Sequence, residues 1–183
     1  IAAAFGEVID SKSPYTSGHS ARVALYADSI AAELGLEPRR RRWLKRASLL
    51  HDMGKLGVSN AILDKPGKLD ETEWAAVRQH AVYTENILSR IGAFTEMAIV
   101  SGAHHERLDG KGYPRGISGE AISLETRIIT TADIFDAITA ERPYRGAMPV
   151  AKTLAIMGSE VGQAIDPRCF EALQRIVDEL GLS

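Results

Sequence analysis

Five histidines occur in this chain, at positions 19, 51, 80, 104 and 105, and their placement limits the fold more than any other feature. Read against helical periodicity, His19, His51, His80 and His104 each share the apolar side of a predicted helix, and His105 adjoins the last of these. A single inward imidazole is ordinarily a hydrogen-bonded core residue. Several, drawn from separate helices, need either several sets of polar partners or one common centre, because buried polar groups must be paired. Asp133 raises the same problem. It lies four residues after Ile129 inside an apolar stripe, where an unpartnered carboxylate would be costly or protonated. Asp52 stands beside His51, and its two oxygens could bridge two cations. These seven donors are too many for one tetrahedral ion and suit two near-octahedral ions that share a carboxylate.

The pattern around these residues is helical throughout. Val23, Ala27, Ile30, Ala31 and Leu34 give a helix over 17–34, stopped by Gly35. Pro38 fits the first turn of the next, whose inward stripe is Trp43, Leu44, Ala47, Leu50 and His51. Gly54 and Gly57 end it. The basic run Arg39–Arg42, Lys45 and Arg46 reads as a solvated face. Asp70 and Glu73 form a capping pair before a helix with Trp74, Val77, His80, Ala81 and Leu88 on one stripe. A further helix is expected over 95–106, then a glycine-rich break over 106–119, since Asp109-Gly110 and Gly112-Tyr113-Pro114 cannot be regular helix. Helical spacing resumes at Ile122 or Leu124 and runs to Ala140. Pro149 opens a short helix to about Val161, and Asp166-Pro167 opens a last one to Leu180. No strand alternation is long enough to count, so the expectation is one all-α domain of about seven helices with an irregular loop.

Composition narrows the function. With 183 residues, 45% of them apolar and 25% charged, the chain has the make-up of an ordinary globular domain. A net charge of −2 gives no electrostatic case for DNA binding, and no apolar run approaches a membrane span. The single cysteine, Cys169, excludes an internal disulfide and a thiolate cluster and fits a reducing cytoplasm. The apolar opening Ile1–Phe5 reads as the end of a helix cut from a longer chain.

His51-Asp52 with a distant His and Asp resembles the HD phosphohydrolase superfamily. His104-His105-Glu106-Arg107, Asp109-Gly110-Lys111-Gly112-Tyr113-Pro114 and Arg142-Pro143-Tyr144-Arg145 resemble its HD-GYP subgroup, and the likeness runs from about Tyr15 to Asp166-Pro167 in the right order. The resemblance implies an HD-domain helical bundle and a metal-dependent cyclic di-GMP phosphodiesterase yielding linear pGpG in bacterial signalling. It implies that His19, His51, Asp52 and Asp133 hold a first ion and that Asp52 bridges to a second held by His80, His104 and His105. Lys55 would touch a substrate phosphate, Tyr113 of the Gly-Tyr-Pro motif would contact substrate, and Arg142 and Arg145 would hold phosphates or a guanine. Iron or manganese is implied, with nickel, cobalt and zinc compatible with the same donors. An upstream sensory or receiver domain and diguanylate cyclase (GGDEF) partners are also implied; a homodimer is left open. Members with a third metal carry an acid four positions before the first histidine; here that position is Tyr15, so two metals are expected and onward cleavage to GMP is weakened. Thr84 stands where glycine is common and is given no role. Two rivals remain: hydrolysis of another nucleotide, above all cyclic GMP-AMP, and a non-catalytic receptor or interaction module.

Overall fold

A computed structural model describes residues 1–140 and 146–179. Arg142 and Arg145 lie outside the described residues, as does the side chain of Tyr15. The described residues form nine α-helices joined by turns and short 3-10 segments, with no β-strand. In chain order they are α1 (Ala2–Asp10), α2 (His19–Glu33), α3 (Pro38–Leu50), α4 (Asn60–Leu63), α5 (Glu71–Leu88), α6 (Thr95–Gly102), α7 (Leu124–Thr139), α8 (Val150–Gly158) and α9 (Pro167–Glu179). The all-helical expectation holds. The count exceeds about seven because α1 extends well past Phe5 and because α4 is a single turn too short to show a periodic signal.

The core sits where α2, α3, α7 and α9 meet. Ile30, Leu44, Leu50, Ile128, Ile129, Phe135 and Leu173 are fully buried there, and each such side chain contributes about 1.5–3 kcal/mol relative to exposure. Tyr26 of α2 meets Phe135 of α7 edge-on at 5.1 Å. Local chemistry sets the helix starts. Pro38 opens α3. Asp70 and Glu73 make a complete capping box at α5, each side chain taking the other residue's backbone N–H at 2.8 Å. Asp10, at the end of α1, accepts the Ser20 N–H and hydroxyl, which fixes the first turn of α2 and with it His19.

Three expectations change in detail. The helix expected over 95–106 stops at Gly102, so His104 and His105 lie on a following turn, held by the Thr130 hydroxyl donating to the His104 carbonyl at 2.7 Å. Trp74 is 46% exposed rather than core, because α5 packs against the turn at 53–57 and α6 farther along its length. The basic run is not wholly solvated: Arg40 bridges Glu96 and Glu125 at 2.6 Å each and lies 4.0 Å over Trp43, tying α3 to α6 and α7.

The irregular segment after His105 is folded back on itself. Tyr113 N–H donates to the His105 carbonyl at 3.2 Å. A Cβ at Gly112 would come within 2.5 Å of that same carbonyl and of the Arg107 nitrogen, so only glycine permits this approach. Arg127, buried in α7, donates to the Ile122 and Gly119 carbonyls and pairs with Asp166 at 2.9 Å, joining the end of this segment to the start of α9. Among the described residues no helix is long and apolar enough to cross a membrane.

Candidate metal centre

The turn that ends α3, α2, α5, the turn after α6 and α7 bring the predicted donors to one buried point. His19, His51, Asp52, His80, His104 and Asp133 are each at most 9% exposed, and His105 is half-buried. Three groups of three donors converge within 4.8 Å among the described residues: His19 with His51 and Asp133, His80 with His104 and His105, and, joining these two, His51 with Asp52 and His104. Asp52 lies between the first two. Its Oδ2 is 3.4 Å from His19 Nε2 and 3.5 Å from His51 Nε2. Its Oδ1 is 3.5 Å from His80 Nε2 and 3.7 Å from His104 Nε2.

Four of the five rings are oriented from behind. His51, His80 and His104 place Nδ1 against the carbonyls of Ser48, Val77 and Ser101, three residues earlier in each case. A carbonyl can only accept, so Nδ1 carries the proton and Nε2 presents its lone pair inward. That is the tautomer a cation needs. His19 uses a carboxylate instead: its Nδ1 is 2.7 Å from Asp136 Oδ2, while Arg22 holds Asp136 through Nε at 2.6 Å and Nη2 at 3.0 Å. Asp136 was not singled out in the sequence. Its signal was available, since it lies three residues after Asp133 on the same face of α7. Thr84 also has a definite place. Fully buried, it donates to the His51 carbonyl at 3.0 Å and accepts the Gly54 N–H at 2.8 Å, pinning the His51-Asp52 turn to α5.

Three of the inward atoms are left without partners. His19 Nε2, His51 Nε2 and Asp52 Oδ1 are buried and form no hydrogen bond. Buried polar atoms in folded proteins are almost always paired, so three orphans facing one another fit a missing cation. His80 Nε2 also lies 3.4 Å from His104 Nε2 and 3.1 Å from His105 Nε2, an arrangement of lone pairs that a positive ion between them would relieve. The donor set, rich in imidazole with carboxylate, fits divalent transition metals.

The two halves differ electrostatically. Burial and the neighbouring imidazole of His80 bring His105 down to about 3, and burial with His105 nearby holds His104 well below its usual range. On the other side burial disfavours protonated His19, but Asp136, Asp52 and Asp133 outweigh it and raise its pKa to about 9. Burial opposes charge on Asp52 and Asp133 too, yet Lys55 and His51 keep Asp52, and His51 and His19 keep Asp133, well below the ordinary carboxylate range. Lys55 sits directly on Asp52 Oδ2. Tyr113 stacks on His105 with centroids 4.8 Å apart and rings 27° from parallel.

Comparison with known proteins agrees with this reading. Residues 4–169 match the family model described as HD domain. The chain is 63% identical over 180 residues to 3′3′-cGAMP-specific phosphodiesterase 3 of Vibrio cholerae serotype O1, covering 98% of this chain and 39% of that protein. It is 41% identical over 162 residues to the cyclic di-GMP phosphodiesterase response regulator RpfG of Xanthomonas campestris pv. campestris, covering 87% of this chain and 43% of that protein. It thus spans about two fifths of the length of these curated relatives. The solved structure of Bd1817, an HD-G"Y"P protein from Bdellovibrio bacteriovorus, shares the fold at 19% identity with a TM-score of 0.74, over 91% of this chain and 53% of that one. The chain belongs to the HD-domain family, and its separated His-Asp and Gly-Tyr-Pro motifs set it in the HD-GYP group of that family.

Proposed function

We propose that this domain is a metal-dependent phosphodiesterase of cyclic dinucleotides and that it holds two divalent ions. His19, His51 and Asp133 would hold one ion, His80, His104 and His105 the other, and Asp52 would bridge them. The observation that carries this reading is the set of unpartnered inward atoms on His19, His51 and Asp52. Such ions supply Lewis acidity toward a phosphate and lower the pKa of water near it. The remaining steps belong to the chain. Asp52 and Asp133 stay ionised at neutral pH, and the Nδ1 contacts hold the imidazoles of His19, His51, His80 and His104 in their ligating tautomer. Lys55, already on Asp52, places an ammonium where it offsets phosphate charge. Tyr113 covers the open side of His105 and keeps its ring from turning. Iron or manganese is the metal we favour.

For substrate, the 63% identity to a 3′3′-cGAMP-specific enzyme favours cyclic GMP-AMP over the cyclic di-GMP expected from the motifs. RpfG at 41% identity supports cyclic di-GMP as the second reading. A linear dinucleotide is the proposed product. A cytoplasmic setting, an upstream receiver or sensory domain and diguanylate cyclase partners are proposed on the same footing. The test is hydrolysis of both cyclic dinucleotides by anaerobically metal-loaded protein. Cleavage of either supports the assignment; tight binding of both without cleavage replaces it with a receptor.

Two results follow from the geometry. Asp136→Asn keeps the shape but weakens the hold on His19, so affinity for the ion on that side is expected to fall about 10–100-fold, read by metal titration. Asp136 acts through His19 and touches no substrate, so its effect should be met by raising the metal concentration. Metal uptake should also respond to pH on one side only. With His19 raised to about 9 and His51 also raised, burial there being outweighed by Asp52 and Asp133, this triad must lose protons to bind a cation, so affinity is expected to rise at least about tenfold per pH unit between 6 and 8. With His105 near 3 and His104 lowered, the other group is already neutral and should hardly change. In metal-free protein the sign reverses for stability: the His19 contribution is full below 6.5 and is lost as pH rises through about 9.

A further inference from the structure

Beside the histidine cluster, the first turns of α5 present Trp74 over a cleft of about 650 Å³. Leu63, Leu69 and Val77 give the cleft apolar walls, and Lys55, Lys65 and Lys68 line it with positive charge. Two routes connect it to the centre. Lys55 lines the cleft and rests its ammonium on Asp52. Arg78, one turn after Trp74, places its guanidinium carbon 6.0 Å from the Trp74 ring centroid and 5.6 Å from that of Tyr113, which in turn stacks on His105. Of the lysines, Lys65 is held by Glu73 at 2.7 Å. Lys68 is exposed, and none of the ion pairs among the described residues involves it. A large aromatic left 46% exposed, between an apolar wall and lysines, fits a ligand that is flat and apolar in one part and anionic in the next.

We propose that this cleft is a nucleobase subsite, in which one purine of the cyclic dinucleotide stacks on Trp74 while the adjoining diester passes Lys55 to reach Asp52. The inference rests on the phosphodiesterase reading above. Stacking on an indole accepts any purine, because every base offers a π-face. Trp74 is therefore a source of affinity and not of choice between guanine and adenine.

The test compares Trp74→Ala and Trp74→Phe, both surface changes, in metal-loaded protein. The substrates are 3′3′-cyclic GMP-AMP, cyclic di-GMP and bis(p-nitrophenyl) phosphate, a diester with no purine. Trp74→Ala is expected to raise KM about tenfold for both cyclic dinucleotides, a loss about tenfold greater than that on the purine-free diester, and Trp74→Phe is expected to recover most of it. Equal losses on all three substrates, or an unchanged KM for the cyclic dinucleotides, overturn the subsite. Wild-type protein that cleaves none of them defeats the phosphodiesterase reading instead. The chain has only two tryptophans, so a Trp43→Phe variant then isolates the Trp74 signal: quenching by cyclic GMP-AMP supports the subsite, and no quenching overturns it.

Discussion

Asp52→Ala is expected to reduce cyclic dinucleotide hydrolysis by at least about a thousandfold and to strip the protein of metal. Asp52 is the group whose two oxygens face both triads, Oδ2 toward His19 and His51 and Oδ1 toward His80 and His104. Its loss would remove the proposed bridge and also the anion that would offset two cations in a buried site. The fold itself should tolerate the change, because among the described residues the Asp52 side chain pairs, outside the histidine cluster, only with Lys55 of the same turn. Circular dichroism close to wild type, with turnover and metal content both lost, is the expected combination. Substantial activity in this variant would contradict the assignment outright.

Gly54→Ala should have the largest effect on stability. A Cβ there would lie 1.9 Å from the His80 carbonyl oxygen and 2.6 Å from the Thr84 nitrogen. Both are backbone atoms of α5, so no rotamer change relieves the overlap, and α5 must move away from the turn at 53–57. Overpacking of this kind costs about 3 kcal/mol or more, a drop of about 10 °C in Tm for a chain of this length. The movement also breaks the Gly54 N–H bond to Thr84 and shifts His80 relative to Asp52. Metal affinity should therefore fall with stability, and a variant with unchanged Tm would show that the close approach is not required.

Much of this was legible in the sequence for physical reasons. Long amphipathic patterns such as those of α2, α3, α7 and α9 report a buried face directly, and caps such as Asp70 with Glu73 report a helix start. Five of the donors stood out because polar residues inside apolar stripes demand partners, and Asp52 and His105 stood out as their immediate neighbours. What failed to show was set by packing rather than periodicity. Trp74 fits the stripe of α5, but the turn it would have to reach lies farther along the helix. His104 keeps helical spacing with Met97 and Val100, yet α6 ends at Gly102 and α7 holds the turn in place. Asp136 and Thr84 act on other donors through bonds across 117 and 33 residues, and no local pattern encodes a separation like that. The same is true of the cleft between α4 and α5, where Lys65 and Lys68 come from a loop with no periodicity.

Binding of two ions by the seven side chains is the proposed basis of activity. Elemental analysis of anaerobically purified protein tests this most directly. Two divalent transition-metal ions per chain are predicted, falling to traces in Asp52→Ala. Fully active protein carrying only traces of metal would contradict it.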